Sequence, residues 1–397
     1  MYSIKRGNMQ NNTSNNMSYR IMLKCDIEMG NMDGQSTHLS ELINTFKENG
    51  HDVLVICPRR RNNMNMNYRS ILVPGIGISS QIRSITEQFM FLFYLIYHVI
   101  KFRPHVVYMR SSTWNISGVV AVKILSKPCI LEVNGFFPEE LIQLNANYLV
   151  RKLNDIAEKV NYTLCDKIIV VNEEIKEKIS SRYGVDREKI HIMTNKVNIN
   201  LFKPCINAID KLGLDRNSRY ICYVGNLVFW QGLKYLIEAA RYINREDVKY
   251  LIVGDGPEKD ELIILSRKLD VYDKFIFLGK IPYEKVYLYI NASDVCVAPF
   301  IKGRYASPLK IFEYMSCGKP FVASNIDGLE DVINDSKGGM LVSPENSTEL
   351  AGAISILLDN KMRSVEMGLS GRKYILKDFS WDTNIKKIIS MTRELLL

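Results

Sequence analysis

Three absences bound the reading. No Asp-x-Asp triplet occurs in the 397 residues, so the paired-acid motif that holds a divalent ion is missing. The 8 cysteines (Cys25, Cys57, Cys129, Cys165, Cys205, Cys222, Cys296 and Cys317) include no Cys-x-x-Cys pair, which leaves no metal or dithiol motif. No apolar run reaches the ~20 residues that cross a bilayer; the longest, 89–100, is broken by Tyr94, Tyr97 and His98. The N-terminus lacks the charged, apolar, small order of a secretion signal. A cytoplasmic protein is expected, with its cysteines as small buried hydrophobes in a reducing compartment.

The composition, 47% hydrophobic and 24% charged, is that of a globular chain with ample core, and the length suits two domains. The net charge of +9 is uneven. Residues 1–204 hold 26 Lys and Arg against 18 Asp and Glu; the remainder holds 26 against 25. A basic half faces an anionic membrane, an anionic substrate or nucleic acid, or reflects general basicity. No aromatic-basic surface motif accompanies it, so nucleic acid is not an expected partner.

Residues 1–18, rich in Asn, Ser and Met without apolar period, are expected to be a disordered tail. From Tyr19 onward short apolar strands alternate with helical patterns. Strands are expected at 19–25, 52–57, 105–109, 128–133, 167–171 and 189–193. Helices are expected at 37–48, 81–102, 116–125, 148–164 and 173–182. After residue 204 the alternation restarts, with strands at 219–224, 249–253, 275–278, 295–298 and 320–323 and a closing helix at 381–397. Such alternation implies parallel sheets covered on both faces, joined near 204–216. The fold class is α/β, two doubly wound Rossmann-like units with a cleft between them. Ligands bind beyond the carboxyl ends of the strands in such sheets.

Four strand-end segments therefore carry the chemistry. In Ser307-Pro-Leu-Lys-Ile-Phe-Glu-Tyr-Met-Ser-Cys-Gly-Lys-Pro, a helix starting near Pro308 presents free N–H groups to an anion. Glu313, one and a half turns in, suits two vicinal hydroxyls; the alternative is an exposed Glu on an amphipathic helix. In Tyr223-Val-Gly-Asn-Leu-Val-Phe-Trp-Gln-Gly, Gly225 allows close backbone approach, and Asn226 and Gln231 offer amides. A plain strand–helix turn explains this segment equally well. Leu251-Ile-Val-Gly-Asp-Gly-Pro and Phe277-Leu-Gly-Lys-Ile-Pro are weaker signals.

Together these segments resemble the retaining glycosyltransferases of family 4 (glycosyl transferases group 1), which have the GT-B fold. The N-terminal half adds MDGQSTHLSELINTFKENGHDV, VVYMR, ILEVNG and TNKVNINLFKP, and FSW closes the match at 379–381. The resemblance implies a tail at 1–18 followed by an acceptor-binding domain at 19–204. A nucleotide-sugar-binding domain follows at 205–380, and a helix at 381–397 returns to the first domain. It implies that Glu313 holds the donor ribose and that the amides of Leu309 and Lys310, after Ser307 and Pro308, cradle the diphosphate. Gly34 approaches from the opposite domain, and Lys280 and Ile281 lie by the base. The implied substrates are a nucleotide-diphosphate sugar, UDP favoured over GDP, and a saccharide or lipid-linked acceptor. No cofactor and no metal are expected.

The chain departs from the pattern at three positions. Many relatives carry Arg and Lys where Asn226 and Gln231 stand, and a Glu where Tyr305 stands. Arg304 and Lys310 are the nearby cations left to stabilise the departing diphosphate. Catalytic candidates are Asn134, where relatives often place a His, Glu132 as the fallback carboxylate, and His38, four residues after Gly34 in the first helix turn near the cleft, for which a structural role is the alternative. Arg110, at the end of VVYMR, meets an anionic acceptor or caps a helix, and Glu139 is a further acceptor candidate. The rival readings are a non-catalytic partner subunit and a nucleotide-sugar epimerase. The apolar residues of helix 81–102 run round more than one face. It is a core helix or a contact to an anionic membrane, supported by Arg59, Arg60, Arg61, Lys101 and Arg103.

Overall fold

Uninterrupted apolar runs such as Ile21-Met-Leu and Val295-Cys-Val-Ala have no face to give to water, so they become central strands with every residue buried. The computed structural model describes residues 17–27, 34–58, 68–75, 80–143, 146–302, 309–326, 329–379 and 381–397. The proposed tail therefore lies outside the described residues up to position 16, as do Arg59, Arg60 and Arg61.

The N-terminal lobe runs β1 (Arg20–Lys24), α1 (Gly34–Glu48), β2 (Asp52–Pro58), β3 (Ser70–Val73), α2 (Ser80–Phe102), β4 (Val106–Arg110) and α3 (Ser117–Ile124). It continues with β5 (Cys129–Val133), α4 (Phe137–Gln143), α5 (Tyr148–Leu164), β6 (Lys167–Val170), α6 (Glu173–Tyr183) and β7 (Ile190–Ile192). Its seven parallel strands lie in the order β3-β2-β1-β4-β5-β6-β7. Side chains alternate across the strands. Met22, Val107 and Leu131 pack under α2, α3, α5 and α6, whereas Ile21, Val106 and Ile130 pack under α1.

The C-terminal lobe begins with α7 (Ala208–Leu212), β8 (Arg219–Val224), α8 (Leu233–Ala239), β9 (Val248–Val253), α9 (Lys259–Lys268), β10 (Phe275–Gly279) and α10 (Tyr283–Ala292). Then come β11 (Val295–Ala298), α11 (Leu309–Ser316), β12 (Phe321–Ser324), α12 (Glu330–Ser336), β13 (Gly339–Val342), α13 (Ser347–Asp359), α14 (Lys361–Asp378) and α15 (Trp381–Glu394). Its six strands are also parallel, ordered β10-β9-β8-β11-β12-β13.

The last helix leaves its own lobe. Trp381, Ile385, Ile388 and Met391 recur at helical spacing and enter the core beneath α1. The crossing is pinned by Val197 N donating to Phe379 O at 3.2 Å and Asn384 Nδ2 to Thr194 O at 3.1 Å. Asn49 Nδ2 donates to Asp382 Oδ1 at 3.0 Å.

The structure differs from the sequence reading in detail. Two edge strands, β3 and β13, were not anticipated. The expected connector at 204–216 contains α7, which packs on α10 of the C-terminal lobe. Cys205 is half-exposed, while the other seven cysteines are buried. Among the described residues no helix is long and apolar enough to cross a membrane.

Candidate active site

Three loops at the carboxyl ends of β8, β9 and β10 are fused by their backbones. Gly225 N donates to Val253 O and Gly254 N to Gly279 O, each at 2.9 Å. Gly225 and Gly254 hold φ of 148° and 138°. A Cβ on Gly254 would stand 1.9 Å from Gly225 O, so the approach requires glycine. These loops floor a cleft of about 350 Å³ whose other wall is α1, with Trp381 at the rear.

Nine residues singled out from the sequence line this cleft: His38, Gly225, Asn226, Gln231, Lys280, Ile281, Leu309, Lys310 and Glu313. Gly34 is the first residue of α1. Arg304, Ser307 and Pro308 lie outside the described residues. The lining also includes Thr37, Glu41, Lys196, Trp230, Asp255 and Tyr283, which the sequence reading missed. Glu41 had a signal: it follows His38 by three positions, on the same helical face.

Lys310 is 9% exposed. Its Nζ donates to Gln231 Oε1 at 2.6 Å and lies 4.2 Å from the centre of the Tyr223 ring. Burial pushes the ammonium down to about 7, against the pull of Glu313. Burial likewise pushes Glu313 up to about 8; the Glu41 charge adds to this, while Lys310 and a hydrogen bond with Tyr283 oppose it. Glu41 itself is raised by burial, partly offset by Asn198 Nδ2 donating to its Oε2 at 2.9 Å.

A second constellation backs the α1 wall. His38 Nε2 lies 2.6 Å from Glu132 Oε1, both groups buried. The same carboxylate receives Asn134 Nδ2 at 2.6 Å and Tyr108 Oη at 2.9 Å. Burial alone would raise Glu132. The His38 imidazole, the Arg110 guanidinium and the Asn134 amide overcome it and hold the carboxyl well below its usual range. The Trp381 ring meets His38 edge-on, with centroids 4.9 Å apart. So Glu132 and Asn134 stand behind His38 and do not line the cleft. Arg110 lies close enough to act on the Glu132 charge, and its Nη1 is buried without a hydrogen-bond partner among the described residues. Glu139 lies away from this group, paired with Lys178 at 2.7 Å.

Among the described residues no three His, Cys, Asp or Glu side chains converge as metal ligands. The arrangement offers two buried lysines, Lys310 and Lys196, a carboxylate suited to hydroxyls and a glycine-lined floor.

Residues 32–201 match the family described as Glycosyltransferase Family 4, and residues 206–374 the family described as Glycosyl transferases group 1. The chain belongs to the family-4 glycosyltransferases. An uncharacterized glycosyltransferase of Methanocaldococcus jannaschii is 28% identical over 238 residues, 58% of this chain and 60% of that one. The Escherichia coli UDP-Gal:alpha-D-GlcNAc-diphosphoundecaprenol alpha-1,3-galactosyltransferase is 28% identical over 296 residues, 71% of this chain and 73% of that one. Anabaena HepE, solved in complex with UDP and glucose, superposes with a TM-score of 0.75 at 19% identity, over 93% of this glycosyltransferase and 99% of that chain. The fold is GT-B.

Proposed function

We propose that this glycosyltransferase moves a hexose from a UDP sugar to a saccharide or lipid-linked saccharide, with retention at the anomeric carbon, in surface glycan or glycolipid synthesis. The observation that carries the reading is Lys310. Its ammonium is buried beside Gly225, and among the described residues no carboxylate lies within ion-pair distance. A buried cation without an anion is unfavourable, and a donor diphosphate supplies that anion. The relatives support the substrate class: the E. coli enzyme's name gives a UDP-galactose donor and a diphosphoundecaprenol acceptor, and HepE was solved with UDP and glucose.

In this reading Glu313 accepts the ribose hydroxyls and Lys280 and Ile281 flank the base. The acceptor oxygen bonds to the anomeric carbon as the carbon–phosphate-oxygen bond breaks. The electron pair leaves with the diphosphate, which also takes the acceptor proton. Lys310 opposes the charge that develops there, so the reaction is expected to run without a metal.

Thermal-shift measurements with UDP, GDP and ADP sugars test the reading. Stabilisation by UDP sugars above the others is the expected result. No shift with any nucleotide sugar would overturn it. Conversion of the donor sugar without an acceptor would replace it by epimerisation.

A further inference from the structure

Helix α5 is built inside out. Its inward residues include Asn154, Glu158 and Asn161, at 0%, 2% and 6% exposure. Its outward residues include Leu149, Leu153 and Ile156, at 63%, 41% and 53%. Most of the inward polar atoms meet protein partners, Asn154 Nδ2 being buried without one among the described residues. Asn154 Oδ1 accepts from Trp114 N at 3.2 Å, Asn161 Nδ2 donates to Asn115 O at 2.8 Å, and Glu158 meets the Tyr162 and Tyr183 hydroxyls. A helix on a water-facing surface has the opposite polarity.

The neighbouring helices extend this face. α2, α3 and α5 belong to the single layer over one side of the N-terminal sheet, and α3 contacts both of the others. On α2, Phe89, Phe93, Tyr97 and Ile100 point outward at spacings of four, four and three residues, opposite the buried Phe91, Leu95 and Val99. Ile124 of α3 is also exposed. Exposed apolar surface of this extent marks an interaction site.

The charges on the face select the partner. Lys101 sits over the exposed Tyr97 ring at 5.7 Å, and Lys152 over the exposed Tyr148 ring at 6.0 Å. Lys159 is exposed on the same side of α5. Asp155 of α5 is engaged by Arg182 at 2.9 Å. Aromatic rings with adjacent ammonium groups, set around aliphatic side chains, match the headgroup boundary of an anionic membrane. A second copy of the chain would bring these lysines against one another.

We infer that the outer face of α2, α3 and α5 rests on an anionic lipid bilayer. The helices lie on the membrane without spanning it. This rests on the transferase reading only for its consequence, that the acceptor hydroxyl is delivered by a lipid anchored in the same surface.

The test is co-sedimentation of the full chain with phosphatidylcholine vesicles, with and without phosphatidylglycerol. Binding to the anionic vesicles, weakened by salt, is expected. Leu149→Gln with Ile156→Gln should lower the bound fraction by on the order of tenfold or more, because each side chain leaves the apolar boundary. These residues are exposed, so the far-UV circular dichroism should not change. Binding by the double variant equal to that of the unaltered chain would overturn the inference. So would absence of binding at low salt, or a dimer in solution that the same substitutions split. The UDP-sugar thermal shift is read on the same variant. Its retention with vesicle binding lost supports both readings, and its absence in the unaltered chain defeats only the transferase reading.

Discussion

Lys310 Nζ donates to Gln231 Oε1 at 2.6 Å and ties the start of α11 to the turn before α8. The bond places the cation on the glycine floor, where a Cβ on Gly225 would stand 2.6 Å from that Nζ. Lys310→Met keeps the stem and removes the charge. Affinity for UDP is expected to fall about tenfold to a hundredfold, as for a lost charge-assisted bond of ~1.5–3 kcal/mol. Titration calorimetry measures it. The nucleotide-free variant should melt no lower than the parent, because an unpaired buried charge has gone.

The pH dependence follows from the same group. The folded ammonium sits at about 7, below its value of 10.5 in water. Between those values the unfolded chain binds the extra proton, so this contribution to stability rises with pH. It is fully present above 10.5 and lost as pH falls through 7. The gain in melting temperature from Lys310→Met should therefore be largest below pH 7 and shrink as the medium becomes alkaline. Diphosphate binding favours the charged form, so UDP affinity should weaken as pH rises past 7, with proton uptake seen as a buffer-dependent calorimetric enthalpy.

Glu132 meets the cleft only by way of His38, whose Nε2 lies 2.6 Å from its Oε1. Glu132→Gln keeps the shape of the side chain and removes the charge behind the imidazole. Turnover is expected to fall by on the order of 10²-fold, the range for a disrupted acid–base or orienting group. His38→Gln should fall similarly, and the double variant should be no slower than the worse single one. Independent, multiplying losses would show that the two side chains do not work as a pair.

Glu158 gives a stability test away from the cleft. Burial pushes its carboxyl up to about 7, beside Asp155, with the Tyr183 and Tyr162 hydroxyls opposing the shift. The raised value means that the folded chain holds the proton more tightly. That stabilisation is present below 4.5 and lost as pH rises through 7. Glu158→Gln should melt higher than the parent at pH 8 and show no such gain at pH 4, as followed by circular dichroism.

The glycine floor predicts a loss of binding without a loss of charge. Gly254→Ala must displace Gly225 O, 1.9 Å from the new Cβ, and separate the loops after β8 and β9. UDP binding should drop by on the order of tenfold, with a lower melting temperature from the strained φ of 138°. Unchanged affinity would show that these loops do not contact the nucleotide.

The sequence was legible where local pattern and tertiary role agree. β8 and β11 were read to the residue because they are continuous apolar runs between helices. β3 and β13 escaped because each is a four-residue edge strand and only half-buried. In the cleft, glycines at strand ends and Glu313 on its helix announce themselves by position. The Lys310 charge was named as one of two cations for the diphosphate, but its burial and its bond to Gln231, 79 residues away, had no signal in the sequence. Glu132 was read as a group facing ligand. Strand alternation alone could not reveal that His38, from a different element, stands in front of it.

The return of α15 to the first lobe means that polypeptide spans the gap twice, near residues 193–204 and again at 379–381. Two tethers side by side should restrict the lobes to swinging like a door on paired hinges. Twisting or drifting apart would stretch one tether. Open and shut forms of the molecule should therefore be endpoints of a single angular coordinate, and removing the last seventeen residues would free the lobes from it while uncovering the apolar underside of α1.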